Sequence, residues 1–454
     1  MTSTYRSLNP TTEKLVKEFP CHSDPQLEAT LARAHQAFLT WRHERLGTRT
    51  QALLAIAQDL ESHAEDLAAL MASEMGKPLS EGIAEAKKCA WVCRFYAEQA
   101  ADFLATEPLE SDGSAAYARK DPLGTILAIM PWNFPFWQVF RCAAPALAAG
   151  NTVILKHAPN TPQCALAIEN LGKRHLPKGV FQNLFLSNQQ ASLLIADPRI
   201  RGVSLTGSTR AGQEIGAQAG RALKPMVLEL GGSDPFIVFD DADMEQAVKI
   251  GTFSRCLNSG QSCIAAKRFL VAASAYAEFT ERLTQAMTEL TIGDPLEGCN
   301  MGPLARADLR DQLVHQVDEA QKHGALIQGQ TQHVPEVGYF HPAIVLSGHS
   351  HLSVPAQQEF FGPVAQVFSF TDEQNAVELA NCTSFGLGAS VWTRDLSRIE
   401  WLAPRLDSGS IFVNGLVKSD PRLPFGGTKQ SGFGRELAAE GLFEFINLKT
   451  VWIA

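Results

Sequence analysis

Three residues in this chain have surroundings suited to chemistry. Cys263 lies in LNSGQSCIAAKR, behind two small polar residues and a glycine. A structural cysteine usually sits in an apolar run and behaves as a small hydrophobe, whereas a nucleophilic one needs room for a substrate and donors for its thiolate. The setting of Cys263 is of the second kind. Glu229 ends a buried-strand pattern, VLELGG, where burial can raise a carboxyl pKa toward the range of a general base. A salt-bridged strand terminus would read the same way. Asn133, in MPWNFPFWQVFRC, is a polar point between Trp132 and Phe134 with prolines on both sides. It reads either as a fixed amide donor for an oxyanion or as a turn cap.

A fourth segment, RGVSLTGSTRAGQEIG, follows a strand pattern and leads into a helical one, with Gly207 at the turn and Ser208 at the helix start. Such a turn offers free backbone N–H groups and a positive dipole end to a phosphate. The spacing is neither G-x-G-x-x-G nor a P-loop, so an ordinary strand-to-helix turn stays open as an alternative.

The elements that must position these residues follow from hydrophobic periodicity. Apolar residues at three- and four-residue spacing predict helices from Asp24 to about Phe103. SDGSAAYARKDPLG is a turn-rich link that could hold a hairpin. GTILAIM, NTVILK, GVFQNLFL and RGVSLTG then read as buried strands separated by helical segments such as CALAIENLGKRH. A second series is expected from KPMVLELGG through DPFIVFD, AKRFLVAAS and AQVFSF to GSIFVN. Alternation of this kind predicts an α/β protein with mainly parallel sheets, in which ligands sit at strand ends. The two series divide close to Gly231 and Gly232, which puts Cys263 near a cleft between them.

Composition narrows the class. A chain of 454 residues with 45% hydrophobic and 19% charged residues is an ordinary globular protein of two or three domains. A net charge of −9 argues against nucleic acid as the main partner. No apolar signal core and no run of about twenty apolar residues is present, so a cytoplasmic protein without a membrane partner is expected. The nine cysteines are odd in number, scattered and free of Cys-x-x-Cys pairs. Neither a disulfide framework nor a metal cage is expected from them.

The ordered set PWNFP, TGSTxxG, ELGG, GQSC, EFFGPV and PFGGTKQSGFGRE spans nearly the whole chain and resembles the aldehyde dehydrogenase superfamily, within it most the shorter bacterial succinate-semialdehyde dehydrogenases. The resemblance implies a Rossmann-type NAD(P)-binding domain over 1–102 and 120–230 and an α/β catalytic domain over 231–436. It also implies a small oligomerisation element from the hairpin at 103–119 with 437–454, and hence a homodimer or homotetramer. Cys263 would be the nucleophile toward an aldehyde. Asn133 and the Cys263 backbone N–H would hold the oxyanion, and Glu229 would activate water against the thioester.

For the cofactor, NAD or NADP, the resemblance implies a pyrophosphate at Ser208 near Gly207 and Gly212. Lys156 would contact the adenosine ribose, Glu359 the nicotinamide ribose, and Phe361 would flank the nicotinamide; Trp132 and Gly231 belong to the same set. Many NAD-preferring relatives carry glutamate three residues after that lysine, where this chain has Pro159. Proline neither binds a ribose hydroxyl nor repels a 2′-phosphate, so both cofactors stay open. Arg141 matches an arginine that grips a distal substrate carboxylate, a task suited to a planar guanidinium. An exposed helix charge or an interdomain salt bridge is the alternative. A second such arginine is replaced by Leu257, with Arg255 two positions away as the candidate substitute, and Ser419 falls in a loop that supplies a polar contact. The implied reaction is oxidation of succinate semialdehyde. Another small aldehyde, CoA-acylating chemistry and a non-enzymatic protein on the same fold are the alternatives.

Overall fold

Short apolar runs rich in β-branched residues, buried on both faces, form the two sheets around which the chain is built. In the computed structural model, which describes Thr4–Ala454, TILAIM, TVILKH and IRGVSLT become the strands Thr125–Met130, Thr152–His157 and Ile200–Thr206. They lie inside a six-stranded sheet whose order is Gly432–Phe433, Met226–Glu229, Ile200–Thr206, Thr125–Met130, Thr152–His157 and Phe181–Asn183. All neighbours are parallel except Gly432–Phe433, which is antiparallel to Met226–Glu229. Side chains alternate between two cores: Ile126, Ala128 and Met130 enter one, Leu127 and Ile129 the other. This is the pattern of a sheet covered by helices on both sides.

The second sheet has seven strands, in the order Leu326–Gln330, Ile344–Ser347, Val364–Phe370, Ala266–Ala272, Asp234–Val238, Gly388–Trp392 and Ser410–Val413. Only its Leu326–Gln330 edge is antiparallel. Met226–Glu229 does not open this second series, as the reading of KPMVLELGG expected. Val227 and Leu228 pack into the two cores of the first sheet, so the strand pairs with Ile200–Thr206, and the second sheet begins at Asp234.

The segment from Asp24 to Phe103 forms four helices, Asp24–Trp41, Leu46–Ser62, Ala64–Met75 and Leu79–Phe103. An N-terminal hairpin of Thr4–Asn9 with Lys14–Pro20 was not foreseen, because KLVKEFP is exposed almost throughout and carries no burial signal. GVFQNLFL is strand only over Phe181–Asn183. Ala115–Pro122 pairs along its whole length with Ile446–Ile453 and on its other side with Glu107–Pro108. That three-stranded sheet leaves Leu448, Trp452 and Ile453 exposed. No helix among the described residues is long and apolar enough to cross a membrane.

The site is positioned by chain that leaves the sheets. Trp132 and Asn133 follow the end of Thr125–Met130, and Gly207 follows the end of Ile200–Thr206. Cys263 lies on the link between the helix Met244–Cys256 and the strand Ala266–Ala272. On that link Asn258, Ser259 and Gly260 are all left-handed, with φ of 54°, 53° and 74°. Side chains cost about 1–2 kcal/mol per residue in that conformation, so the turn persists only because its surroundings hold it. The Asn258 N–H donates to Glu81 Oε2 at 2.8 Å, its Nδ2 donates to the Asn133 carbonyl at 2.8 Å, and Ser259 Oγ donates to the Gly302 carbonyl at 2.8 Å.

Gly260 must be glycine for a second reason: a Cβ there would lie 2.3 Å from the carbonyl carbon of Gly362 and 2.6 Å from Pro363 N. Gly298 has a similar φ of 80° but open space around it. Gly260→Ala is therefore expected to lower the melting temperature well beyond Gly298→Ala, which should cost only the conformational ~1–2 kcal/mol. Equal shifts in a thermal-unfolding comparison would show that the Gly260 contact is slack.

Candidate active site

Cys263 is partly buried on the wall of a cavity of about 430 Å³, shared with Phe134, Trp137, Arg141, Leu257 and Ser419. Its loop is tied from below by Lys267, fully buried at the start of the next strand, whose Nζ donates to the carbonyls of Ser262 and Cys263 at 2.8 Å each. Burial pushes the Cys263 thiol up to about 12, against the smaller pull of Arg141 and Lys267. Burial thus favours the thiol form, and the thiolate must be generated for attack. Cys256, seven positions earlier, points into the apolar core beneath the second sheet and does not reach the cavity.

Asn133 is buried, and its amide faces the same loop. Nδ2 donates to the Gln261 carbonyl at 3.1 Å, and Asn258 Nδ2 also donates to that carbonyl at 3.2 Å. One amide proton of Asn133 is thereby used, leaving one that can serve a ligand. The rigid PWNFP segment and the left-handed turn are stapled together two residues before the thiol.

Glu229 is buried at the end of its strand, and neither carboxylate oxygen has a hydrogen-bond partner among the described residues. Burial drives its pKa well above the ordinary carboxyl value; Arg141 opposes the rise and Glu436 adds to it. A Cβ at position 426 would lie 2.9 Å from Glu229 Oε1, so glycine is the residue that lets the carboxyl sit where it does. The Glu229 backbone carbonyl accepts from the Gly207 N–H at 3.0 Å, which ties the end of this strand to the turn at Gly207.

Arg141 lines the cavity, but much of its guanidinium is committed. Nε ion-pairs with buried Glu436, Nη2 donates to Thr206 Oγ1 at 3.3 Å, and the group stacks over the Phe425 ring at 4.7 Å. Ser419, also buried, accepts from Trp137 Nε1 at 3.0 Å and from Lys88 Nζ at 2.9 Å. The expectation that Arg255 stands in for a second cavity arginine is corrected. It points inward from the last turn of its helix and donates to the carbonyls of Ala266 at 3.2 Å and Gly260 at 2.6 Å, off the cavity wall. Leu257 is the residue that faces the cavity there.

A second cleft, of about 650 Å³, opens at the ends of the first sheet's strands, lined by Lys156, Ser208, Arg210 and Glu214 among others. Ser208 caps the helix Thr209–Arg221 by accepting from the Ala211 N–H at 3.3 Å. The N–H groups of the first helical residues have no partner inside a helix, and here they open on a cleft with two cations. This donor set fits an anionic dinucleotide. Gly212 plays another part: its N–H bonds within the helix to the Ser208 carbonyl at 2.9 Å. A Cβ at this position would strike Leu230 at 2.4 Å, so Gly212 serves close packing of helix on sheet. At the other end, Trp132 and Phe361 stand edge to face with centroids 5.9 Å apart. Glu359 accepts from the Gly232 N–H at 3.2 Å and pairs with Lys267 at 3.2 Å; it approaches so closely that a side chain at Gly231 would meet it at 2.5 Å.

Three residues of this region escaped the sequence reading. Lys267 could have been suspected as a charge inside a buried strand pattern directly after GQSC. Glu436 ends the PFGGTKQSGFGRE motif but reads as an ordinary surface acid. Lys88, on LSEGIAEAKKCAWV, looks like the polar face of an amphipathic helix, yet it lines the cavity.

A model of the aldehyde dehydrogenase family matches residues 1–451. The chain is 48% identical over 450 residues to a probable succinate-semialdehyde dehydrogenase (NADP+) of Synechocystis sp., covering 99% of both chains. It is 46% identical over 453 residues, again 99% of both, to succinate-semialdehyde dehydrogenase (NADP+) 1 of Mycobacterium tuberculosis. The crystal structure of succinic semialdehyde dehydrogenase from Streptococcus pyogenes in complex with NADP+ superposes with a TM-score of 0.96 at 37% identity, covering 99% of each chain.

The Arg141–Glu436 pair carries its own prediction. Arg141→Ala leaves Glu436 buried without its counter-charge, a change that costs ~3–5 kcal/mol in buried pairs. Arg141→Met combined with Glu436→Gln should recover part of that loss. Denaturant unfolding of the three proteins checks this; a double variant no more stable than the single one would remove the pair from the account.

Proposed function

The chain belongs to the aldehyde dehydrogenase family, and from that premise we propose that it oxidises succinate semialdehyde to succinate with NAD(P)+ through a covalent intermediate on Cys263. The observation that carries this reading is one cavity in which a thiol and a guanidinium share the wall, with the Asn133 amide stapled to the thiol's own loop. Its relatives named for succinate semialdehyde and NADP+ support the substrate and the cofactor class.

In this scheme Cys263 gives up its thiol proton to solvent as the aldehyde enters, and the Sγ thiolate attacks the aldehyde carbon and forms a C–S bond, while the carbonyl oxygen takes up negative charge. The Asn133 amide and the Cys263 backbone N–H stabilise that oxygen, where fixed donors are worth most. The adduct becomes a thioester by giving up a hydride, for which bound NAD(P)+ would supply the acceptor. Glu229 then takes a proton from water, the water oxygen bonds to the acyl carbon, and the C–S bond breaks to release the acid and the cysteine. Dividing the oxidation in this way lets one cysteine and one carboxylate handle both halves. A CoA-acylating route would not need Glu229, and a carboxyl at this buried strand end, free of hydrogen-bond partners among the described residues, favours water as the acceptor. Ser208, Lys156 and the open N-terminus of Thr209–Arg221 would hold the dinucleotide's anionic part, with Glu359, Phe361 and Trp132 at its reactive end. The lack of a carboxylate at Pro159 suits either cofactor. The division of the chain into cofactor, catalytic and oligomerisation parts is proposed with it. The exposed Leu448, Trp452 and Ile453 on the Ile446–Ile453 strand suit pairing with a second copy of the chain.

Cys263→Ala should abolish turnover of aldehyde while cofactor binding, measured by fluorescence of the reduced form, stays nearly unchanged. Cys256→Ala should retain most activity. An active Cys263→Ala protein would overturn the assignment.

Glu229→Gln separates the two halves. A burst of reduced cofactor of about one per subunit should precede a slow steady state, because the thioester forms and waits for water. Since burial raises the Glu229 pKa, its base form accumulates only as pH rises. Wild-type steady turnover on succinate semialdehyde should therefore climb with pH, and the Glu229→Gln profile should be flatter. Unchanged steady turnover in the variant would take Glu229 out of the mechanism.

A further inference from the structure

The cavity wall holds a lysine, Lys88, that the scheme above does not use. The helix Leu79–Phe103 turns Glu81, Glu85 and Lys88 to this cavity, as their three- and four-residue spacing dictates. Both acids are already occupied. Glu81 accepts from the Asn258 N–H at 2.8 Å, and Glu85 ion-pairs with Lys77 while accepting from the backbone N–H groups of Phe136 and Trp137 at 2.9 Å each. Lys88 makes no ion pair with a carboxylate among the described residues. Its ammonium lies 4.2 Å over the Trp137 ring and donates to Ser419 Oγ.

That last bond decides what the site can bind. Ser419 Oγ accepts from an ammonium and from the Trp137 indole N–H, and both of these groups can only donate. Its two lone pairs are therefore filled, and the proton of its hydroxyl is all it has left to offer. Lys88, with three protons and one spent, is in the same position. Together they present the cavity with donors and positive charge and no acceptor, which selects an anion. Lys418 also lines the cavity, but it is exposed and faces Asp420 at 4.0 Å, and Arg255 is turned away.

We propose that Lys88, anchored on Ser419, is a buried cation that receives the substrate's distal carboxylate beside Arg141. This rests on the succinate-semialdehyde reading and deepens it: the chain meets the loss of an arginine at Leu257 with a lysine from a different helix. Burial, and after it the repulsion of Arg141, lowers the Lys88 pKa to about 8, and a bound carboxylate would relieve that repulsion. The groups that face Lys88 are Arg141, which lowers it, and Cys89, Glu85 and Asp420, which raise it.

The test is steady-state kinetics of wild type, Lys88→Met, Lys88→Arg and Ser419→Ala on succinate semialdehyde and butanal. Lys88→Met should raise KM for the charged aldehyde roughly ten- to hundredfold, with a much smaller effect on kcat and little loss on butanal. Lys88→Arg should restore most of the preference, and Ser419→Ala should lose part of it. In the wild type KM for succinate semialdehyde should rise above a pH of about 8 as the ammonium deprotonates, while KM for butanal does not follow. A wild type without preference for the charged aldehyde would overturn the substrate reading and the role of Lys88 with it. A wild type that has the preference and a Lys88→Met protein that keeps it would overturn the role of Lys88 alone. Melting curves of each variant separate a folding defect from either result, because a misfolded Lys88→Met protein loses both aldehydes and Lys88→Arg then decides through its pH profile.

Discussion

The left-handed turn Asn258–Gly260 is the constraint on which the site rests. Three consecutive residues occupy a conformation that is unfavourable for two of them, and the chain accepts this because the turn changes direction between a buried helix end and Cys263. What holds the turn also builds the site. Asn133 and Asn258 share the Gln261 carbonyl, Glu81 takes the Asn258 N–H, and Gly260 fits against Gly362 and Pro363 only because it lacks a side chain. Strain of this kind is affordable when several independent contacts over-determine the geometry.

Burial sets the electrostatics around the turn. The thiol and the carboxyl that the chemistry needs as anions are both pushed up by desolvation. Desolvation thus disfavours the charged form at both reactive positions, while fixed charges surround them: Lys267 beneath the loop, Arg141 against Glu436, and Lys88 at the cavity wall. The buried cations do different work. Lys267 holds backbone carbonyls, Arg141 neutralises a buried acid, and Lys88 has no acid partner among the described residues. Position on the fold, more than residue type, separates these roles.

Much of this was legible in the sequence, for physical reasons that vary with the residue. Most of the apolar strands were visible because burial on two faces demands continuous β-rich runs, although the equally buried Ile344–Ser347 and Gly388–Trp392 were not among them, and Cys263 stood out because small polar neighbours are unusual around a core cysteine. Met226–Glu229 was assigned to the wrong series because neighbouring strands in a parallel sheet share one pattern, and pairing follows from packing rather than from order in the chain. Arg255 and Lys88 show the deeper limit. Both are cations on helices near the cavity, and the direction a long side chain takes is decided by partners distant in sequence. Carbonyls at Gly260 and Ala266 captured Arg255, whereas Ser419, more than three hundred residues away, captured Lys88.

The central claim, a covalent acyl intermediate on Cys263 that Glu229 helps to resolve, can be observed directly. Glu229→Gln protein would be mixed with succinate semialdehyde and NADP+, quenched in acid during the first turnover and digested, and the peptide that holds both Cys256 and Cys263 fragmented in a mass spectrometer. The account predicts a succinyl group on Cys263 and an unmodified Cys256, with far less adduct in wild type quenched in the steady state. A peptide that stays unmodified while reduced cofactor is formed, or an acyl group on Cys256, would contradict it.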